Sequence, residues 1–248
     1  MIRSARTRLA LVCLGLWPLA LACAGEPGAG EPGAGPPAAE VAPRPEPELE
    51  SEPAPELGAV VFLGDSLTAG YGLEADAAYP ALVARRIAEQ ALPFRVVNAG
   101  VSGDTTAGGA SRVDWLLRQP VAVLVLALGA NDGLRGLPLG QTEEFLDQIL
   151  KRTRAEHSDA DLVVAGMLMP PNLGPDYTTQ FQALFPRVAE RHGATLLPFL
   201  LEGVAALPEL NQADGIHPTA EGQQLVAETV WNVLEPILQR RAAAQSSR

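Results

Sequence analysis

The chain has 248 residues, a formal net charge of −11 and 47% hydrophobic residues. An acidic chain without a basic cluster argues against nucleic acid as a partner. The only cysteines are Cys13 and Cys23, and the three histidines lack ligand spacing, so neither an internal disulfide of the body nor a metal or other cofactor is expected.

Residues 1–23 read as a signal segment of the lipoprotein type. Arg3, Arg6 and Arg8 give a basic start, and Leu9 to Ala22 is apolar but broken by Pro18. That stretch is shorter than the ~20 residues of a membrane span. Leu19-Ala20-Leu21-Ala22-Cys23 is similar to a bacterial lipobox, in which Cys23 is lipidated and becomes the new N-terminus. Ala20-Leu21-Ala22 also permits ordinary signal cleavage, which would release a soluble protein. Residues 24–58 form a Pro-, Glu-, Gly- and Ala-rich segment with eight Glu against Arg44. With little to bury and charge of one sign, it is expected to stay disordered as a tether, reaching on the order of 100 Å when extended at about 3.1 Å per residue.

The body, 59–241, carries apolar runs alternating with amphipathic ones, and 242–248 reads as a disordered tail. Strands are expected at Ala59–Leu63, Phe94–Asn98, Val121–Leu128, Asp161–Leu168 and Thr195–Phe199. Their nearly continuous apolar character is that of strands covered on both faces. Helical spacing occupies Tyr79–Gln90, Thr142–Arg154, Thr178–His192 and Thr219–Gln239. Alternating strands and helices predict an α/β fold with right-handed crossovers and a parallel sheet. Reactive groups then belong on the loops past the carboxyl ends of the strands.

Those loops hold the residues that carry chemistry. Gly64-Asp65-Ser66-Leu67 follows the first strand, Gly103 the second, and Gly129-Ala130-Asn131-Asp132 the third. Asp214-Gly215-Ile216-His217 precedes the last helix. A serine, a histidine and a carboxylate are the parts of a nucleophilic hydrolase, and Gly103 and Asn131 are candidate donors to an oxyanion. Taken singly, Ser66 also suits a helix N-cap, Gly103 a turn with positive φ and Asn131 a turn residue. Asp65 and Asp132 read as acceptors that brace loops. His157 and His192 sit where helical patterns run out and read as structural.

Gly64-Asp65-Ser66-Leu67, Gly103, Gly129-x-Asn131-Asp132 and Asp214-x-x-His217 together resemble the SGNH (GDSL) hydrolase superfamily. Asn131-Asp132-Gly133-Leu134-Arg135-Gly136, Pro170-Pro171-Asn172 with Tyr177, and Leu197-Pro198-Phe199 resemble its bacterial thioesterase, arylesterase and lysophospholipase branch. The resemblance implies a flavodoxin-like three-layer sandwich with five parallel strands, and hydrolysis of acyl esters or thioesters without metal or cofactor. It implies Ser66 as nucleophile, His217 as general base, Asp214 as the residue orienting the imidazole, and an oxyanion hole formed by the N–H groups of Ser66 and Gly103 with the Asn131 amide. Leu134, Leu137, Met169, Pro170, Pro171, Tyr177 and Ile216 flank these loops as candidates for an acyl groove, and Arg135 as a candidate to steer an anionic head group.

The expectation is an acyl-ester hydrolase of the bacterial envelope, anchored through Cys23 on the periplasmic or outer side, or else secreted. Its substrates would be lysophospholipids, aryl esters or thioesters. A carbohydrate O-acetyl esterase is the alternative within the same chemistry. A lipid- or glycan-binding lipoprotein without turnover is the alternative outside it.

Overall fold

The computed structural model describes residues 57–246. The expected signal segment, Cys23, nearly all of the expected tether and the last two residues of the tail lie outside the described residues. Five strands, β1 (Ala59–Gly64), β2 (Arg95–Gly100), β3 (Val121–Ala127), β4 (Asp161–Ala165) and β5 (Thr195–Leu197), form one sheet in the order β2-β1-β3-β4-β5. All pairings are parallel. This is the flavodoxin-like order, with its switch point between β1 and β3.

The helices are α1 (Ser66–Ala69), α2 (Tyr79–Glu89), α3 (Thr106–Leu116), α4 (Ala130–Leu134), α5 (Leu139–Glu156), α6 (Pro175–His192) and α7 (Ala220–Ser246). α2 packs beside α7, while α3, α5 and α6 pack side by side in a second layer. Both faces of the sheet are thereby covered, which is why β1 and β3 are buried along their whole length and read as unbroken apolar runs. Val60, Val61, Phe62 and Leu63 have no exposed surface.

Several boundaries differ from expectation for local reasons. β5 stops at Leu197 because Pro198 has no N–H to continue a ladder. β4 stops at Ala165, although the Gly166 N–H still reaches the Leu197 carbonyl at 2.7 Å. α7 continues through Ser246, past the expected start of the tail at 242, on Ala242-Ala243-Ala244, which are strong helix formers. α3 is a helix that the apolar pattern did not announce.

The sheet is polarised. The chain enters β1 at Ala59 and leaves it at Gly64, directly before the Ser66 turn. At the entering edge, Leu57, Asp159, Asp161, Arg240, Arg241 and Gln245 line one groove. The end of α7 is tied there by the bonds of Arg240 and Arg241 to Asp161. The beginning and the end of the described chain therefore share the edge opposite the strands' carboxyl ends. Among the described residues no helix is long and apolar enough to cross a membrane.

Candidate active site

β1 delivers Ser66 to the first position of α1, where a backbone N–H has no acceptor within the helix. Asp65 caps that helix through Oδ1, which accepts the Leu67 N–H at 3.0 Å. The short helix is strapped from behind. The Thr68 hydroxyl pairs with the Tyr79 hydroxyl at 2.8 Å, and the Gln223 amide bonds both the Leu67 carbonyl and the Tyr79 N–H. Asn98 on β2 donates to the Thr68 carbonyl at 3.0 Å.

His217 lies 2.9 Å from the Ser66 hydroxyl through Nε2, and 2.6 Å from Asp214 Oδ2 through Nδ1. A proton on Nδ1, donated to the carboxylate, leaves the Nε2 lone pair facing the serine hydroxyl. Asp214 Oδ1 accepts the N–H groups of Ile216 and His217 at 2.9 and 3.0 Å. The His217 backbone bond first, and then the imidazole and the Ile216 N–H, hold this carboxyl down at about 2. It is therefore ionised at any pH near neutrality. The loop closes on itself through Gln212, whose N–H donates to the His217 carbonyl at 2.7 Å. The Gln212 side-chain amide donates to the carbonyls of Tyr71 at 2.7 Å and Pro218 at 3.0 Å.

Gly103 has φ of +78°, a left-handed conformation that side chains other than glycine rarely adopt. The Asp104 N–H returns to the Val101 carbonyl at 3.0 Å and closes this turn. The Asn131 amide faces the same region, with Nδ2 donating to the Asp104 carbonyl at 2.9 Å and to Asp65 Oδ2 at 3.2 Å. Both N–H groups of that amide thus already have acceptors on the loops beside the cleft. Asp65 is 1% exposed, and burial pushes its carboxyl up to about 6 against the lowering effect of the Leu67 N–H. Asp132 is buried as well and accepts from the Thr106 N–H and hydroxyl. Both aspartates brace loops, as their positions suggested.

An open cleft of about 220 Å³ lies over Ser66 and His217, with Tyr71, Leu134, Ile216 and Ser102 among its walls. Of the expected groove residues it takes in Leu134 and Ile216. Leu137 and Tyr177 lie outside it and bond one another, the Tyr177 hydroxyl donating to the Leu137 carbonyl at 3.1 Å. Pro170 and Pro171 are exposed at the start of a short 3-10 turn, and Met169 packs against the core. Arg135, a candidate to steer an anionic head group, is exposed and donates from Nη2 to the Gly103 carbonyl at 2.9 Å. His157 bonds the Leu117 carbonyl and His192 pairs with Asp147, both outside the cleft.

Tyr71 was not singled out by the sequence. Its ring, half-exposed, packs against the His217 imidazole with centroids 4.6 Å apart. Its position five residues after Ser66, next to the left-handed Gly70, was the available signal.

The profile of the GDSL-like lipase/acylhydrolase family matches residues 62–225. Esterase TesA of Pseudomonas aeruginosa is 40% identical over 180 residues, covering 72% of this chain and 89% of that protein. Thioesterase 1/protease 1/lysophospholipase L1 of Escherichia coli is 40% identical over 181 residues, covering 72% of this chain and 84% of its own. A crystal structure of TesA superimposes with a TM-score of 0.69 at 39% identity, covering 72% of this chain and 99% of that one.

Proposed function

This chain belongs to the GDSL-like lipase/acylhydrolase family and is an SGNH-type carboxylic ester hydrolase, and we propose that it works through a Ser66-His217-Asp214 triad on acyl esters at the bacterial envelope. The observation that carries the mechanism is the unbroken relay from the Ser66 hydroxyl through both imidazole nitrogens to Asp214, at 2.9 and 2.6 Å.

In this reading Ser66 Oγ attacks the acyl carbonyl as its proton passes to His217 Nε2. Asp214 stabilises the imidazolium and stays charged throughout. Negative charge gathers on the former carbonyl oxygen and is met by the N–H groups of Ser66 and Gly103 and by the Asn131 amide, each worth about 3–4 kcal/mol in comparable sites. Collapse expels the alcohol or thiol, which takes the proton from His217. Water, activated by the same imidazole, then releases the acid and restores Ser66.

The substrates proposed are lysophospholipids, thioesters and aryl esters, in keeping with the names of the relatives above and of an arylesterase of Vibrio mimicus that is 38% identical over 172 residues. Export bears on the choice, since acyl-CoA is a cytoplasmic metabolite and a lysophospholipid is at hand in the envelope. The lipobox-like run ending at Cys23 and the acidic, Pro-rich stretch after it support a lipid anchor with a spacer.

A fluorophosphonate probe followed by peptide mass mapping tests the nucleophile. The adduct is expected on Ser66 and absent from Ser66→Ala, and labelling elsewhere with turnover retained overturns the triad. A series of p-nitrophenyl esters separates a longer-chain acylhydrolase from an O-acetyl esterase, which would act on acetate alone. Cys23→Ser should move the enzyme from the membrane fraction to the soluble envelope fraction with unchanged kcat. A wild-type protein without lipid mass on its mature N-terminus removes the anchor.

A further inference from the structure

Arg112 on α3 donates from Nε to Asp104 Oδ2 at 2.8 Å and from Nη2 to the Gly64 carbonyl at 3.0 Å. Gly64 lies two residues before Ser66, and Asp104 directly follows Gly103. The Asp104 carbonyl in turn accepts the Asn131 amide. One guanidinium therefore reaches, directly or through Asp104, each of the three segments that carry a proposed oxyanion donor. We infer that Arg112 is a positioning residue that sets the spacing of these donors, an inference that rests on the oxyanion-hole reading above.

The contact is built rather than incidental. The paired side chains are only 23% and 11% exposed. A pair taken partly out of water is costly unless its carboxylate is satisfied. Here Asp104 Oδ1 also accepts the Thr105 N–H at 3.1 Å. Glycine at 108 makes the arrangement possible, since a Cβ there would run into Asp104 Oδ1. The planar fork matters too. Nε and Nη2 point to two acceptors on different chain segments, which a single ammonium on a flexible stem cannot span in one geometry. Ser66 and Gly103 present backbone N–H groups, so their aim depends on loop placement to within about half an ångström. A loosened cradle binds charge that exists only in the transition state less well, and the loss belongs in kcat rather than KM.

The experiment measures kcat and KM separately for Arg112→Lys and Arg112→Ala on p-nitrophenyl butyrate, with thermal melts and with added guanidinium chloride in the low millimolar range. By analogy with single oxyanion donors, kcat is expected to fall about 10- to 100-fold with KM within about twofold. Arg112→Lys should melt close to wild type yet keep the kcat loss, and guanidinium should recover part of the Arg112→Ala turnover while leaving Ser66→Ala inactive. If Arg112→Ala does not fold, the kcat and KM of Arg112→Lys decide. Wild-type kcat in a folded Arg112→Lys, or a rise in KM alone, overturns the inference. Should Asn131→Ala also keep the wild-type kcat, the oxyanion-hole reading itself fails; should Asn131→Ala lose kcat while Arg112→Lys does not, only the role of Arg112 does.

Discussion

Ser66 and His217 meet across 2.9 Å, yet the two sides of that contact are held by different means. On the side of Ser66, the proposed nucleophile, Asp65, Thr68 and Gln223 are buried, and their hydrogen bonds run into β2, α2 and α7. On the side of His217, the proposed base, a loop between Asn211 and Thr219 carries Asp214 with its side chain 39% exposed, and Ile216 is exposed beside it. Hydrogen bonds from Gln212 and Asn211 and the cover of Tyr71 hold that loop. Rigid strand ends suit groups that must bind a short-lived charge without reorganising. A base that hands a proton first one way and then the other tolerates a looser mount. Local opening is cheapest where buried apolar contacts are few, so the base loop is expected to open first.

The largest effect should come from the nucleophile. Ser66→Ala is expected to lose about 10³-fold or more of esterase turnover while melting as wild type does, read by steady-state rates and circular dichroism. Asn131→Ala, on the rigid side, should lower kcat by about 10²-fold with KM little changed. An effect on KM alone would move Asn131 from charge stabilisation to substrate binding.

Asp65 gives the same side a pH signature. Its carboxyl is raised from 3.8 to about 6 by burial, so the stability it contributes is complete below about pH 4 and is lost as pH rises through about 6. That loss is at most on the order of 3 kcal/mol for a shift of roughly two pK units. Melting temperatures of Asp65→Asn across this range should fall less with rising pH than those of wild type. Equal slopes would mean that Asp65 ionises in the fold as freely as in the unfolded chain. The smallest effect belongs to the base side. Gln212→Leu keeps the shape and removes the donors, and should cost about 3- to 10-fold in kcat, the scale of one or two modest hydrogen bonds. Hydrogen exchange should find the 211–219 amides faster than those of 64–69 in wild type and faster still in this variant.

The strands were legible because burial on both faces leaves a run of Val and Leu that needs no partner to be recognised, as at Val121–Ala127. Ser66, Gly103 and Asn131 were legible because each follows a strand, and His217 because it stands three residues after Asp214 on the loop ahead of the last helix. α3 was not, since Gly108 and Gly109 weaken its helical signal and Trp115, 67% exposed, breaks the apolar stripe. The cue that was present is Thr105, whose hydroxyl caps the Gly108 N–H, ahead of Ala110, Val113 and Leu116. Missing α3 also hid Arg112, whose acceptor at Gly64 is 48 residues away. The groove failed for a related reason. Which side chains share a cleft depends on how loops from separate strands lean together, and flanking a motif in sequence does not decide it.

The polarity of the sheet has a consequence for orientation. The chain enters at Ala59 and the described part ends beyond Arg241, both at the edge away from Ser66, while the six residues of β1 carry the backbone roughly 20 Å toward the cleft at about 3.3 Å each. Anything fastened to either end of the domain is thus fastened behind it. Held tight against a surface, the enzyme would turn its mouth to the solution and serve what diffuses past. Were Cys23 lipidated, as proposed above, only slack in residues 24–58 would let it roll over and graze the surface that held it. In that proposed arrangement, shortening or lengthening residues 24–58 would change which substrates the enzyme meets while leaving the 2.9 Å between Ser66 and His217 untouched.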